Sequence, residues 1–137
     1  MNTEQQKETN RIIVCGVLGI ITMVYLALIG CVNVQHFNYK MNSDIGAEAV
    51  LARLIWNSGE MVPSTWISST ETRIIATPQL AALFYGWTGD MNLGLGLACC
   101  VMTIGILLAI WCFMKKAGFR TESCLLMCVL SLALSGN

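Results

Sequence analysis

Two stretches of this chain are apolar without interruption, and a third begins near its end. Ile12 to Val32 runs for 21 residues and Leu93 to Met114 for 22, neither with a charged side chain. About 20 apolar residues in a helix cross the hydrocarbon of a bilayer, so each run is long enough to span. A buried strand or a core helix would be shorter and would show a polar face. The third run, Ser123 to Leu134, has 12 residues before Ser135-Gly136-Asn137. Residues 123–137 read as the start of a third membrane helix in a protein that continues; a short re-entrant or interfacial helix is the alternative.

The polar segment between the long runs, residues 33–91, carries a pattern of its own. Ala47, Val50, Leu51, Leu54 and Ile55 recur at helical spacing, which predicts an amphipathic helix over about 44–57. Ser43 or Asp44 supplies its N-cap, and Asn57-Ser58-Gly59 ends it. Residues 60–70, with Pro63 and Trp66, read as extended or turning chain. Thr77-Pro78 opens a second helix over about 78–88, with proline at its first position and Gly89-Asp90 closing it. Leu80, Leu83, Phe84 and Trp87 share one face of that helix. Trp56, Trp66, Tyr85 and Trp87 are amphipathic rings of the kind favoured at the lipid–water boundary, so this segment is expected to lie on the membrane.

Charge adds orientation. Only 12% of the residues are charged and 55% are hydrophobic, with a mean hydropathy of +0.65; soluble domains carry about 25% charged residues. Formal net charge is zero, which gives no reason to expect nucleic acid as a partner. Lys7 and Arg11 precede the first span, and Lys115, Lys116 and Arg120 follow the second, whereas residues 33–91 hold only Lys40, Arg53 and Arg73. Basic residues in short segments beside a span stay on the cytoplasmic side. The expected layout is therefore a cytoplasmic tail (1–11), a first span (12–32), an extracytoplasmic loop (33–91), a second span (92–114) and a cytoplasmic turn (115–122). The fold class is an all-α membrane protein with two to three transmembrane helices. A lipoprotein signal ending at Leu28-Ile29-Gly30-Cys31 is the rival reading of the N-terminus, but such apolar regions run for about 7–15 residues, and a second span follows.

The seven cysteines all lie in or beside apolar runs, so the loop has no disulfide framework and the thiols read as small apolar packers. Asp44 and Glu48 are the sharpest chemical pair. One helical turn apart, they point to the same side, where two carboxylates can hold a divalent cation through oxygen or supply a general base. The plainer alternative makes Asp44 a cap and Glu48 a solvated acid near a helix start. Glu71 and Arg73 follow, in Ser68-Ser69-Thr70-Glu71-Thr72-Arg73; Ser68 with Glu71 fits a capping box, and an arginine fork suits phosphate. His36 stands alone and reads as a surface or packed imidazole. Gly94 and Gly96 read as points of close helix contact.

The order of these parts resembles the opening portion of bacterial polytopic membrane proteins with the GT-C glycosyltransferase architecture. The resemblance runs through Ser43-Asp44, Ser58-Gly59-Glu60-Met61-Val62-Pro63 with Trp66, Ser69-Thr70-Glu71 with Arg73, and Thr77-Pro78-Gln79-Leu80, over roughly residues 12–134. It implies an enzyme of the bacterial cytoplasmic membrane that takes a lipid-linked sugar donor at the outer face. Asp44 stands where the family's base or metal ligand is expected, with Glu48 as the nearest second acid because Ile45 follows Asp44 directly. Glu71 and Arg73 would contact substrate, and Mg or Mn is the implied cofactor at Asp44 and Glu48. Membrane lipid and other membrane helices of a larger assembly are the expected partners. On this reading the chain is the N-terminal part of the enzyme, inactive alone. The alternative is a small non-enzymatic accessory or assembly subunit. A transporter fragment is a third reading, opposed by the lack of charge inside either span.

Overall fold

A computed structural model describes residues 3–35, 43–67 and 76–135. The described residues are all-helical, with no strand, in the order α1 (Thr3–Gln35), α2 (Ser43–Ser58), α3 (Thr77–Thr88), α4 (Met91–Lys116) and α5 (Thr121–Ser135). Two of these helices, α1 and α4, are long and apolar enough to cross a membrane. At 1.5 Å per residue, the 33 residues of α1 and the 26 of α4 extend about 50 and about 39 Å. Both exceed a hydrocarbon core of about 30 Å.

The chain divides into two compact units. One holds the residues up to Ile29 and those from Thr103 onward; the other holds Gly30–Met102.

In the first unit Leu107, Cys128 and Leu132 are buried, with Leu26, Ile29, Ile110 and Trp111 packed against them. Cys124, Cys128 and Leu132 recur every fourth residue and are the buried positions of α5, so this helix turns one stripe inward. The turn from α4 to α5 is closed by Gly118 at φ 82°. Phe119 N–H donates to Met114 O at 3.0 Å and Gly118 N–H to Lys115 O at 3.1 Å, the crossed pair of bonds that satisfies the last carbonyls of a helix. Lys115 and Lys116 in that last turn complement the negative end of the helix dipole. The Arg11 guanidinium, through Nε, meets Glu122 Oε1 in the first turn of α5. Arg11 to Leu26 is about 22 Å along α1 and Glu122 to Leu132 about 15 Å along α5. Pairing at both levels makes the two helices parallel, with α4 running against them.

In the second unit α2 and α3 pack on each other and on the first turns of α4. The buried set is Ala52, Ile55, Ala81, Ala82, Leu95 and Ala98, flanked by Ile45, Ala49, Leu51, Leu80, Phe84, Met91 and Cys99. Small residues do most of the burying, which lets the backbones approach closely. A Cβ on Gly94 would sit 3.0 Å from Ala81 O and 3.1 Å from Tyr85 N, and one on Gly96 would strike Asn33 O of the last turn of α1. Both glycines are points of backbone contact.

Two faces differ from the sequence pattern. Ala47 and Val50, expected on the inner face of α2, are exposed, while Ile45, Ala49, Ala52 and Ile55 turn inward. On α3, Pro78, Ala81 and Ala82 are buried, and the larger Leu83 and Trp87 stand out at 66% and 86% exposure. In each case the narrower face fits against α4, and steric fit outweighs side-chain size. The tail also differs: α1 is helical from Thr3, so the polar residues before Ile12 continue the helix.

Candidate functional site

The second unit carries the predicted carboxylates. Both Asp44 and Glu48 lie on α2, whose first turn contains Asp44. The side chain of Asp44 is exposed, whereas Glu48 is half-buried on the side that faces α4, within electrostatic reach of Cys99. The spacing of four residues holds the two acids on adjoining parts of one helix surface. Packing on α4 gives that helix a fixed support. Glu71, Arg73, His36 and the Ser68–Glu71 capping box lie outside the described residues.

Two further acids among the described residues of this unit are occupied by local structure. Asp90 Oδ1 accepts from Asn92 N at 2.8 Å and Leu93 N at 3.3 Å, which makes it the N-cap of α4. Glu60 Oε2 accepts from Ser64 N at 3.1 Å and so holds the turn around Pro63, whose carbonyl accepts from Trp66 N at 2.9 Å. Neither role was read from the sequence, although an Asp one residue before an apolar helix was the available signal for Asp90. The Asn92 Oδ1 atom is buried without a hydrogen-bond partner.

Glu122 has the clearest electrostatic signature. A hydrogen bond from its own backbone N–H, then the hydrogen bond and charge of Arg11 and the charge of Arg120, hold its carboxyl below the usual 4.5, against the effect of burial. Its role is to tie α5 to α1.

Among the described residues no three His, Cys, Asp or Glu side chains converge as metal donors. Asp44 and Glu48 alone offer two carboxylates. Mg²⁺ takes octahedral oxygen coordination and commonly binds through one or two carboxylates plus substrate phosphates, so this pair is not a self-sufficient metal site. None of the seven cysteines, all among the described residues, is in a disulfide. A shallow apolar groove runs along α1, lined by Cys15, Gly16, Gly19, Met23 and Ala27 among others. Comparison with protein-family models, with curated proteins and with solved structures finds no match to this chain.

Proposed function

We propose that this chain is an integral membrane protein whose α2–α3 pair, on the outer face, forms part of a GT-C-like glycosyltransferase acting on a lipid-linked sugar. The membrane part rests on α1, which has a mean hydropathy of 2.8 over its most apolar window and none of that window buried by protein. Hydrocarbon is the solvent such a surface requires. Orientation is supported by the ion pair of Arg11 with Glu122. It draws the basic start of α1 to the basic turn after α4, and short basic segments stay in the cytoplasm. With both ends of the first unit's basic cluster inside, residues 33–91 lie outside, in a multi-pass protein of the bacterial cytoplasmic membrane.

The glycosyltransferase reading is carried by one observation: Asp44 is exposed and Glu48 half-buried on a helix braced against α4. A base must be open to its substrate and fixed in place. Asp44 takes the proton of an acceptor hydroxyl as that oxygen bonds to the sugar's anomeric carbon. The bond from that carbon to the donor phosphate breaks, and the lipid phosphate leaves with the electron pair. Glu48 orients Asp44, and Glu71 and Arg73 contact the donor, Arg73 at its phosphate. In the whole enzyme of which this chain forms part, Asp44→Asn should abolish transfer of labelled sugar from a polyprenyl-phosphate donor without lowering its level in the membrane. Transfer at the unmodified rate removes Asp44 from the mechanism.

A second reading, a non-enzymatic accessory or assembly subunit, is favoured by the unburied groove of α1. Purification in mild detergent with a stoichiometric membrane partner, and no sugar transfer by the complex, would replace the first reading with this one.

A further inference from the structure

We infer that α3 is an interfacial helix whose exposed Leu83 and Trp87 pack against acyl chains of the outer leaflet. The inference rests on the membrane reading above and specifies what covers a surface that protein leaves bare. Residues 77–88 contain no charged side chain. The small side of the helix is used by protein, with Ala81 and Ala82 in the buried cluster. The opposite side presents Leu83 at 66% and Trp87 at 86% exposure, while Leu80 and Phe84 are half-buried against the edge of that cluster. A helix that is apolar all round is at home only where both sides are covered.

The position of α3 along α4 names the cover. After the turn at Gly89-Asp90, α3 lies against α4 at Gly94, which faces Ala81 and Tyr85, and at Leu95 and Ala98. These positions are three to seven residues into a helix that begins at Met91, about 5–10 Å along its axis. That is the depth at which interfacial helices bury their apolar face, roughly 5–10 Å into the headgroup–acyl boundary. The polar groups stand above it. Asp90 caps the start of α4 by accepting from Asn92 N, and Thr88 Oγ1 donates to Phe84 O at 2.9 Å. Trp87 sits one residue from that polar level, where indole is favoured.

The start of α3 fits the same setting. Unpaired backbone donors are costly at membrane depth, and two positions at this helix end leave none. Ala76 N–H donates to Gln79 Oε1 at 2.9 Å, Gln79 Nε2 reaches Met61 O at 3.4 Å, and Pro78 has no N–H to satisfy.

The test uses the whole chain in phosphatidylcholine vesicles, with three of its four tryptophans replaced by phenylalanine. One variant keeps Trp87 and the other keeps Trp111 in α4. Lipid brominated near the headgroup end of its acyl chains should quench most of the Trp87 emission, while aqueous iodide leaves it nearly unchanged. Iodide quenching without bromolipid quenching overturns the inference in favour of water, and quenching by neither overturns it in favour of a protein cover. Lipid brominated along its whole acyl chains, applied to the Trp111 variant, separates the two levels of failure. If Trp111 is quenched and Trp87 is not, α3 is misplaced but the protein is in the bilayer; if neither responds, the membrane reading fails with it. Leu83→Lys gives a second measure: it should weaken vesicle retention of Trp87 quenching, and an unaltered profile overturns the inference.

Discussion

Replacing Gly96 by alanine should destabilise the protein relative to the same change at Gly105. Both glycines lie inside α4, so each substitution gains about 1 kcal/mol of helix propensity. At Gly105 nothing lies within 4 Å of the added Cβ, so the gain stands. At Gly96 the Cβ meets Asn33 O, with Asn33 C 3.0 Å and Val34 Cα 3.5 Å away. These are backbone atoms and cannot rotate aside, so the last turn of α1 must shift. Overpacking of this kind costs about 1–3 kcal/mol. The net effect at Gly96 is a loss of between about 0 and about 2 kcal/mol, and the two variants differ by about 1–3 kcal/mol. At about 4 °C per kcal/mol for a chain of this size, that is a gap of roughly 4–12 °C in Tm. Thermal unfolding in dodecyl maltoside micelles, followed by far-ultraviolet helicity, reads it directly. Equal stabilisation by both substitutions would refute the contact between α4 and the end of α1.

Other outcomes follow from single residues. Gly118→Ala places a Cβ at φ 82° and should cost about 1–2 kcal/mol, seen as a lower Tm, whereas Gly30→Ala, with open space around it, should not. The carboxyl of Glu122 is held below its usual 4.5, so its contribution to docking α5 is complete above that value. The contribution is lost as pH falls through the lower folded value. Thiol labelling of Cys124 and Cys128 should therefore accelerate on acidification in the native protein and not in Glu122→Gln. Tags placed after Glu60 and Gly118 should be reached by impermeant reagent from outside and inside respectively; the reverse inverts the topology.

The two long helices were legible because charge is excluded from both apolar runs, a signal that needs no tertiary context. The starts of α2 and α3 were legible for a similar reason, since Ser43-Asp44 and Thr77-Pro78 are local chemistry. Which faces turn inward was not. Around α2, Ile45, Ala49, Val50, Leu51, Leu54 and Ile55 cover nearly the whole circumference, so periodicity alone does not single out one stripe. The choice falls to Ala49 and Ala52, which let α4 approach, and α4 lies some forty residues later in the chain. The same applies to the candidate site. Spacing placed Asp44 and Glu48 on one side of a helix, but only the packing of α2 on α4 separates the exposed acid from the half-buried one.

The polar start of the chain shows how a long apolar helix alters its flank. Read by composition, residues 1–11 are a tail; in the structure the helix begins at Thr3. An isolated helix of that length would be marginal, because the first turn fixes several residues for a single hydrogen bond. Here the apolar run behind it has already formed the nucleus, and each further residue adds one bond. Glu4 lies in the first turn, where the dipole favours an acid, and the sequence sets Glu4 and Lys7, and Glu8 and Arg11, as opposite charges at a three-residue spacing that favours helix. The extension has a structural consequence. Arg11 projects from a rigid helix at a fixed angle and meets Glu122, which sets the direction of α5 beside α1. Breaking the helix at the entry to the apolar run, by Ile12→Pro, should therefore loosen α5, because proline pushes the preceding Arg11 out of helical geometry. Faster labelling of Cys128 in that variant, with α1 still in the membrane, would separate this linkage from loss of the span, and unchanged labelling would show that Arg11 finds Glu122 without it.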